Sequence, residues 1–210
     1  MEIRSKQELE FYLMADRMMN RGKFKPTFKE YILDFLYPDY IMRYLELMRK
    51  VSFYSTRSGI QKYLYYYYKL RFNKLALKLG FSIGYNCFGY GLVIPHYGTI
   101  VVGQSNRIGN YSVIHTSTCI SDNGKKIGHA LYLSTGVKIT SKLVLGDNIS
   151  IGANSLVNKS NLDGNVMLAG SPAKEIKTVD PWYIRDGQAY SSKVERIENL
   201  RKKMFKEYGN

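Results

Sequence analysis

The spacing of apolar residues changes once along the chain, near residue 80. Before that point it is helical. Tyr31 and Phe35, then Ile41, Tyr44, Leu45 and Met48, recur at three- and four-residue intervals. Ser5 with Glu8 and Thr27 with Glu30 have the spacing of capping boxes, which mark helix starts. A further helical run follows Ser58 and stops at Gly80, a residue suited to a left-handed cap. From Ile83 aliphatic residues fall on every sixth position instead: Val102, Ile108, Ile114 and Ile120. After one extra residue they resume at Ile127, Leu133, Ile139, Leu145, Ile151 and Val157. Glycine often follows them, as at Gly103, Gly109, Gly128, Gly146 and Gly152.

Six is not a helix period, and one long strand would bury every second residue. A turn at every sixth residue fits a chain coiling round a triangular prism, with one short strand and one corner per hexad. The regular aliphatic residue then points inward, and the small residue after it eases the corner's backbone angles. Coils stack at about 4.8 Å, so residues 83–162 predict four to five coils and a column roughly 20 Å tall. A β-sandwich of short strands would not keep so many positions in register. The slip coincides with "SDNGKK" (121–126), expected to bulge outward as a short loop.

Composition narrows the class. The chain has 210 residues, enough for one domain with an appendage, and its mean hydropathy is negative. It carries 31 Lys and Arg against 17 Asp and Glu, a net charge of +14. That excess calls for an anionic partner: nucleic acid, a membrane surface or a phosphorylated small molecule. Cys87 and Cys119 fit no zinc or redox spacing, and the start "MEIRSKQELE" lacks the apolar run of a signal peptide. A cytoplasmic location is therefore expected. The segment 57–81 is basic, rich in tyrosine and free of acid, which would suit either a helix packing within its own trimer, the favoured reading, or peripheral contact with the inner face of a membrane. No nucleic-acid-binding motif accompanies it.

His96, in "GLVIPHYGTIVVG", is the main candidate for chemistry. From the residues alone it is either a packed histidine or a general base.

The stretches "FSIGYNCFGYGLVIPHYGTIVVG", "LGDNISIGANSLVNKS" and "LAGSPAKEIK" resemble the hexapeptide-repeat acyltransferases, and within them the serine acetyltransferases. The resemblance runs from about residue 40 to residue 177. It implies a mainly β fold: a left-handed parallel β-helix (81–177) after an N-terminal helical region (1–80), with a partly helical C-terminal extension (178–210). It also implies a homotrimer with sites between prisms, or a hexamer in which two trimers pair through the N-terminal helices. Acetyl-CoA would be the co-substrate, and no metal would be needed. His96 stands at the family's catalytic histidine. Carried over residue by residue, coenzyme A would touch Ser134, Thr135, Gly136, Gly152, Ala153, Gly170 and Ser171. Lys159, Lys174 and Lys177 would hold its phosphates. His115, Asp122, Asn123 and His129 are candidates for the acceptor. The gamma-class carbonic anhydrases share the fold and bind zinc through three histidines, but His115 and His129 lie too far apart in sequence for their closely spaced pair.

The chain departs from the serine enzymes in three places. Pro95 replaces an Asp beside the catalytic His, and Phe81-Ser82 stands where an orienting Asp is expected. No acid occurs between Leu47 and Ile120, so a carboxylate for His96 would have to come from Asp34, Asp39, Glu46, Asp122 or another subunit. "SDNGKK" replaces a longer loop bearing Arg and His. Without that loop, a sugar hydroxyl of a surface polysaccharide precursor is the expected acceptor, with serine second and a non-catalytic trimeric scaffold third. The C-terminal helix is expected from Ser192, and Trp182 has no role at this level.

Overall fold

The computed structural model describes residues 1–205; the last five residues of the expected C-terminal extension lie outside the described residues. Four helices come first: α1 (Lys6–Arg21), α2 (Phe28–Leu36), α3 (Tyr40–Ser55) and α4 (Gln61–Leu79). Both capping boxes form, and Asp39 caps α3 by accepting from the Met42 N–H. Gly22 and Gly80 end α1 and α4 in the left-handed region, at φ 72° and 77°.

The chain then coils into a three-faced parallel β-helix. Face I holds β1 (Phe81–Ile83), β2 (Ile100–Val102), β5 (Thr118–Ile120), β8 (Lys138–Ile139) and β11 (Leu156–Val157). Face II holds β3 (Arg107–Ile108), β6 (Lys126–Ile127) and β9 (Val144–Leu145). Face III holds β4 (Val113–Ile114), β7 (Tyr132–Leu133), β10 (Ser150–Ile151) and β12 (Val166–Gly170), closed by the antiparallel β13 (Ala173–Thr178). This is the left-handed parallel β-helix the resemblance implied. The hexad residues align coil on coil: Ile83, Val102, Ile120, Ile139 and Val157 on face I, and Ile114, Leu133, Ile151 and Leu168 on face III. None of these is more than 5% exposed.

Two corner details differ from expectation. The left-handed positions are not the glycines that follow each inward aliphatic residue. They lie three residues after it, at Ser117, Gly136 and Asn154 on one corner and at Tyr111, Ala130 and Asn148 on another. The following glycines are required by crowding instead: a Cβ on Gly103 would sit 2.3 Å from the Asp122 Cα. The slip also bulges less than expected. Ile120 pairs with Val102 and Lys126 with Arg107, so the corner gains a single residue. Lys125 folds back and is buried, donating to the Ser121 carbonyl (2.7 Å) and to Asn123 Oδ1 (2.6 Å).

The helices cover two surfaces of the column. Tyr44, Leu45, Met48, Phe72 and Leu79 of α3 and α4 close its first coil over Phe81, Ile83 and Phe88. Phe11, Met18 and Met19 of α1 pack outside face III on Val93, Val113 and Tyr111. They are joined there by α5 (Trp182–Arg185) and α6 (Gln188–Phe205), which begins four residues before the expected Ser192. Trp182 acquires a role: its indole N–H donates to the Tyr111 carbonyl (2.7 Å), and its ring is buried against face III. In contrast, α2 buries none of its residues.

Candidate active site

Each coil turns from face III to face I through a corner of small or polar residues. Pro95–Gly98 (95–98), 115–117, 134–136 and 152–154 stack there. Backbone bonds tie successive levels together, with Gly136 N–H on the Thr116 carbonyl (3.0 Å) and Asn154 N–H on the Thr135 carbonyl (2.9 Å). The column thus brings His96 and His115 together with the expected coenzyme A contacts Ser134, Thr135, Gly136, Gly152 and Ala153 along one edge. Gly170 and Ser171 end β12 at the same edge.

The corner holding His96 is longer than the one stacked on it. Val93 bridges Val113 and Ile100 pairs with Thr118, so seven steps on the first coil cover what five cover on the next. Gly98, at φ 139°, lets the longer turn close. The surplus residues carry Pro95, His96 and Tyr97 outward, and all three are exposed. His96 is therefore an edge residue, not a packed core histidine. The strand leading to it is anchored from below. A buried Asp16–Arg49 pair (2.7 Å) accepts from the Gly91 and Leu92 N–H groups and donates to the Phe88 and Gly89 carbonyls.

Beside His96 runs a row of polar side chains. The His96 and His115 rings lie 6.2 Å apart between centroids. His115 Nε2 is 3.2 Å from the Tyr132 hydroxyl. The Arg185 guanidinium covers the Tyr132 ring at 4.8 Å, donates to Ser150 Oγ (3.0 Å) and pairs with Asp186 (2.7 Å). Burial lowers the His115 pKa below its ordinary 6.5, the nearby His96 lowers it further, and Asp186 opposes both. Burial raises the Tyr132 hydroxyl. Sequence reasoning missed Tyr132, Arg185 and Asp186; the one signal available was Trp182, which fixes the C-terminal segment against this face.

The remaining candidates do not gather here within one chain. Asp122 and Asn123 sit on the corner between faces I and II, where Asp122 accepts from the Ser105 N–H (2.8 Å) and is held below the usual carboxylate range by Ser105. His129 lies on the corner between faces II and III. Its Nδ1 accepts from the Asn110 N–H (3.0 Å), and its own N–H donates to Asp147 (2.6 Å). Lys174 stands at the β12–β13 turn near Gly170, whereas Lys177 pairs back toward the start of β12 and Lys159 follows β11 on the face I to II corner. Of the carboxylates considered for His96, Asp34 pairs with Arg43, Asp39 caps α3 and pairs with Arg21, and Glu46 lies on α3. Asp186 is a carboxylate that the sequence did not suggest. No group of three or more metal-ligating side chains occurs among the described residues.

No protein-family model matches the chain. It is similar to the serine acetyltransferase of Helicobacter pylori, 30% identical over 95 residues, covering 42% of this chain and 55% of that one. A serine acetyltransferase of Synechococcus elongatus is 25% identical over 95 residues, covering 42% and 38%. The matched stretch thus spans about half, or less, of these relatives' length. Among solved structures, the Neisseria gonorrhoeae serine acetyltransferase in complex with serine superposes with a TM-score of 0.58 at 24% identity, covering 82% of this chain and 71% of that one. The Brucella abortus serine acetyltransferase gives 0.56 at 20% identity, covering 83% and 69%. These structures share the fold.

Proposed function

We propose that this chain, a hexapeptide-repeat protein with serine acetyltransferase-like sequence and fold, is an acetyl-CoA-dependent O-acetyltransferase whose general base is His96. The observation that carries the reading is the extended corner that lifts His96 out beside an edge of small residues. An acceptor hydroxyl placed there is a weak nucleophile at neutral pH. The His96 imidazole takes its proton as the oxygen attacks the thioester carbonyl. A C–O bond forms and the C–S bond breaks. The proton held by His96 then goes to the departing thiolate, and no acyl-enzyme forms. The small side chains at Gly136, Gly152 and Ala153 let the pantetheine arm approach the main chain, with Lys174 toward its phosphates.

L-Serine is the first acceptor to test, because the relatives and structures described above are serine acetyltransferases. That reverses the order expected from the sequence. One observation keeps a sugar hydroxyl as the second reading: on the short corner Lys125 is turned inward onto Ser121 and Asn123, so it offers no cation to an amino-acid carboxylate. We further propose a cytoplasmic homotrimer, in which the His96 edge of one protomer meets the Asp122 and Asn123 corner of its neighbour.

The test is thiol release from acetyl-CoA with L-serine and with a panel of sugars. Release with serine supports the first reading, and release with a sugar alone supports the second. His96→Ala is expected to cost about 10²–10⁴-fold in kcat while leaving the fold intact. Full activity in that variant would refute the mechanism.

A further inference from the structure

The helical layer carries a surface that the acetyl-transfer reading does not use. Along α2, Phe28, Phe35 and Tyr37 just beyond its end are 80–82% exposed, and Tyr31, Ile32 and Leu36 are at least half exposed. The apolar surface of this nine-residue helix stays bare among the described residues. Beside it lies α4, which has five cations, Lys62, Lys69, Arg71, Lys74 and Lys78, and no acid. None of the five is paired with a carboxylate among the described residues. The acids on the α2 side are already neutralised: Glu30 by Lys23 and Arg17, Asp34 by Arg43 and Asp39 by Arg21. The two helices meet across a cleft of about 970 Å³, lined by Tyr31 and Tyr37 on one side and Arg71, Lys74 and Lys78 on the other. The Lys78 ammonium stands 3.6 Å over the Tyr40 ring at its rim.

We propose that this face docks the protein peripherally on an anionic lipid bilayer. The apolar side of α2 enters the boundary between headgroups and acyl chains, and the cations of α4 meet lipid phosphates in and around the cleft. Charge selects this occupant over a second copy of the chain. Two such faces brought together would oppose six α4 cations, Arg71, Lys74 and Lys78 of each copy, with no acid on either α4, whereas a headgroup layer supplies negative charge to all of them. No helix of the described residues is long and apolar enough to cross a membrane, so the contact is superficial. This inference rests on the helical layer alone and is independent of the acetyl-transfer reading.

The full chain is cosedimented with phosphatidylglycerol–phosphatidylcholine vesicles and with pure phosphatidylcholine vesicles, and its mass in solution is measured alongside. Binding to the anionic vesicles only is expected. It should fall steeply as salt rises from about 0.1 M to about 1 M, which shortens the Debye length from about 10 Å to about 3 Å. Lys74→Gln and Lys78→Gln, both at exposed positions, should each weaken partitioning about fivefold, and together about 25-fold. Phe35→Ser should weaken it without changing the mass in solution. Equal binding to both vesicle types, no binding, or unaltered binding by the double lysine variant would overturn the proposal. So would a drop in solution mass in Phe35→Ser, which would make the face a contact between copies.

Discussion

At the scale of residues, the titration of His115, the imidazole next to His96, leaves a mark on stability. His115 is half-buried, and its folded pKa lies below 6.5 because burial and His96 both disfavour its cation. A histidine held neutral in this way stabilises the fold fully above its unfolded pKa. That contribution is lost as pH falls through the folded value, since the folded chain must then charge a desolvated ring. The wild type should therefore lose melting temperature between about pH 7 and about pH 5 more steeply than His115→Gln. Gln keeps a donor for the Tyr132 hydroxyl but does not titrate. Parallel curves for the two proteins would mean that His115 is solvated in solution. The same residue shows what the sequence could reveal of the site. His96 and the small-residue edge were legible from motif and period. His115 was named too, but its neighbours Tyr132, Arg185 and Asp186 were not, because that row joins two consecutive coils to a segment some fifty residues away that only Trp182 ties down.

At the scale of elements, the hexads were legible because each inward residue must meet its equivalent one coil above, which repeats a single chemical demand ten times. The purpose of the glycines was not, because steric approach between coils leaves no trace in the spacing. Nor could periodicity show that α2 would stay bare, since an apolar face on a helix says nothing of what covers it. The Asp16–Arg49 pair is likewise invisible in sequence, yet it links α1 and α3 to the backbone running into the His96 corner. Both side chains are nearly inaccessible, and between them they satisfy two carbonyls and two N–H groups of residues 88–92. Arg49→Ala leaves the Asp16 carboxylate buried without its cation and two carbonyls without donors. The expected cost is about 3–5 kcal/mol, read from urea unfolding. The effect should exceed that of Arg43→Ala, whose partner Asp34 is partly exposed and whose ion pair is worth about 1 kcal/mol or less.

At the scale of the whole molecule, folding and the proposed activity make different demands on assembly. One chain already closes its own column: the inward residues of all three faces are buried without help from a second copy. The site proposed above would not close in the same way: Asp122 and Asn123 lie on a different corner from His96, and a single prism cannot bring two of its own corners together. A trimer can, by setting one corner against its neighbour's. The protein should then run in solution as three copies of a 24.2 kDa chain. Each copy carries a charge of +14, so assembly should tighten as salt rises toward about 0.15 M, where the Debye length is about 8 Å and repulsion between protomers is largely screened. Dilution at low salt should therefore abolish thiol release while the far-ultraviolet circular dichroism of the β-helix stays unchanged. Activity per chain that is constant down to the monomer, measured by light scattering on the same samples, would place the complete site within one prism and remove the need for a neighbouring corner.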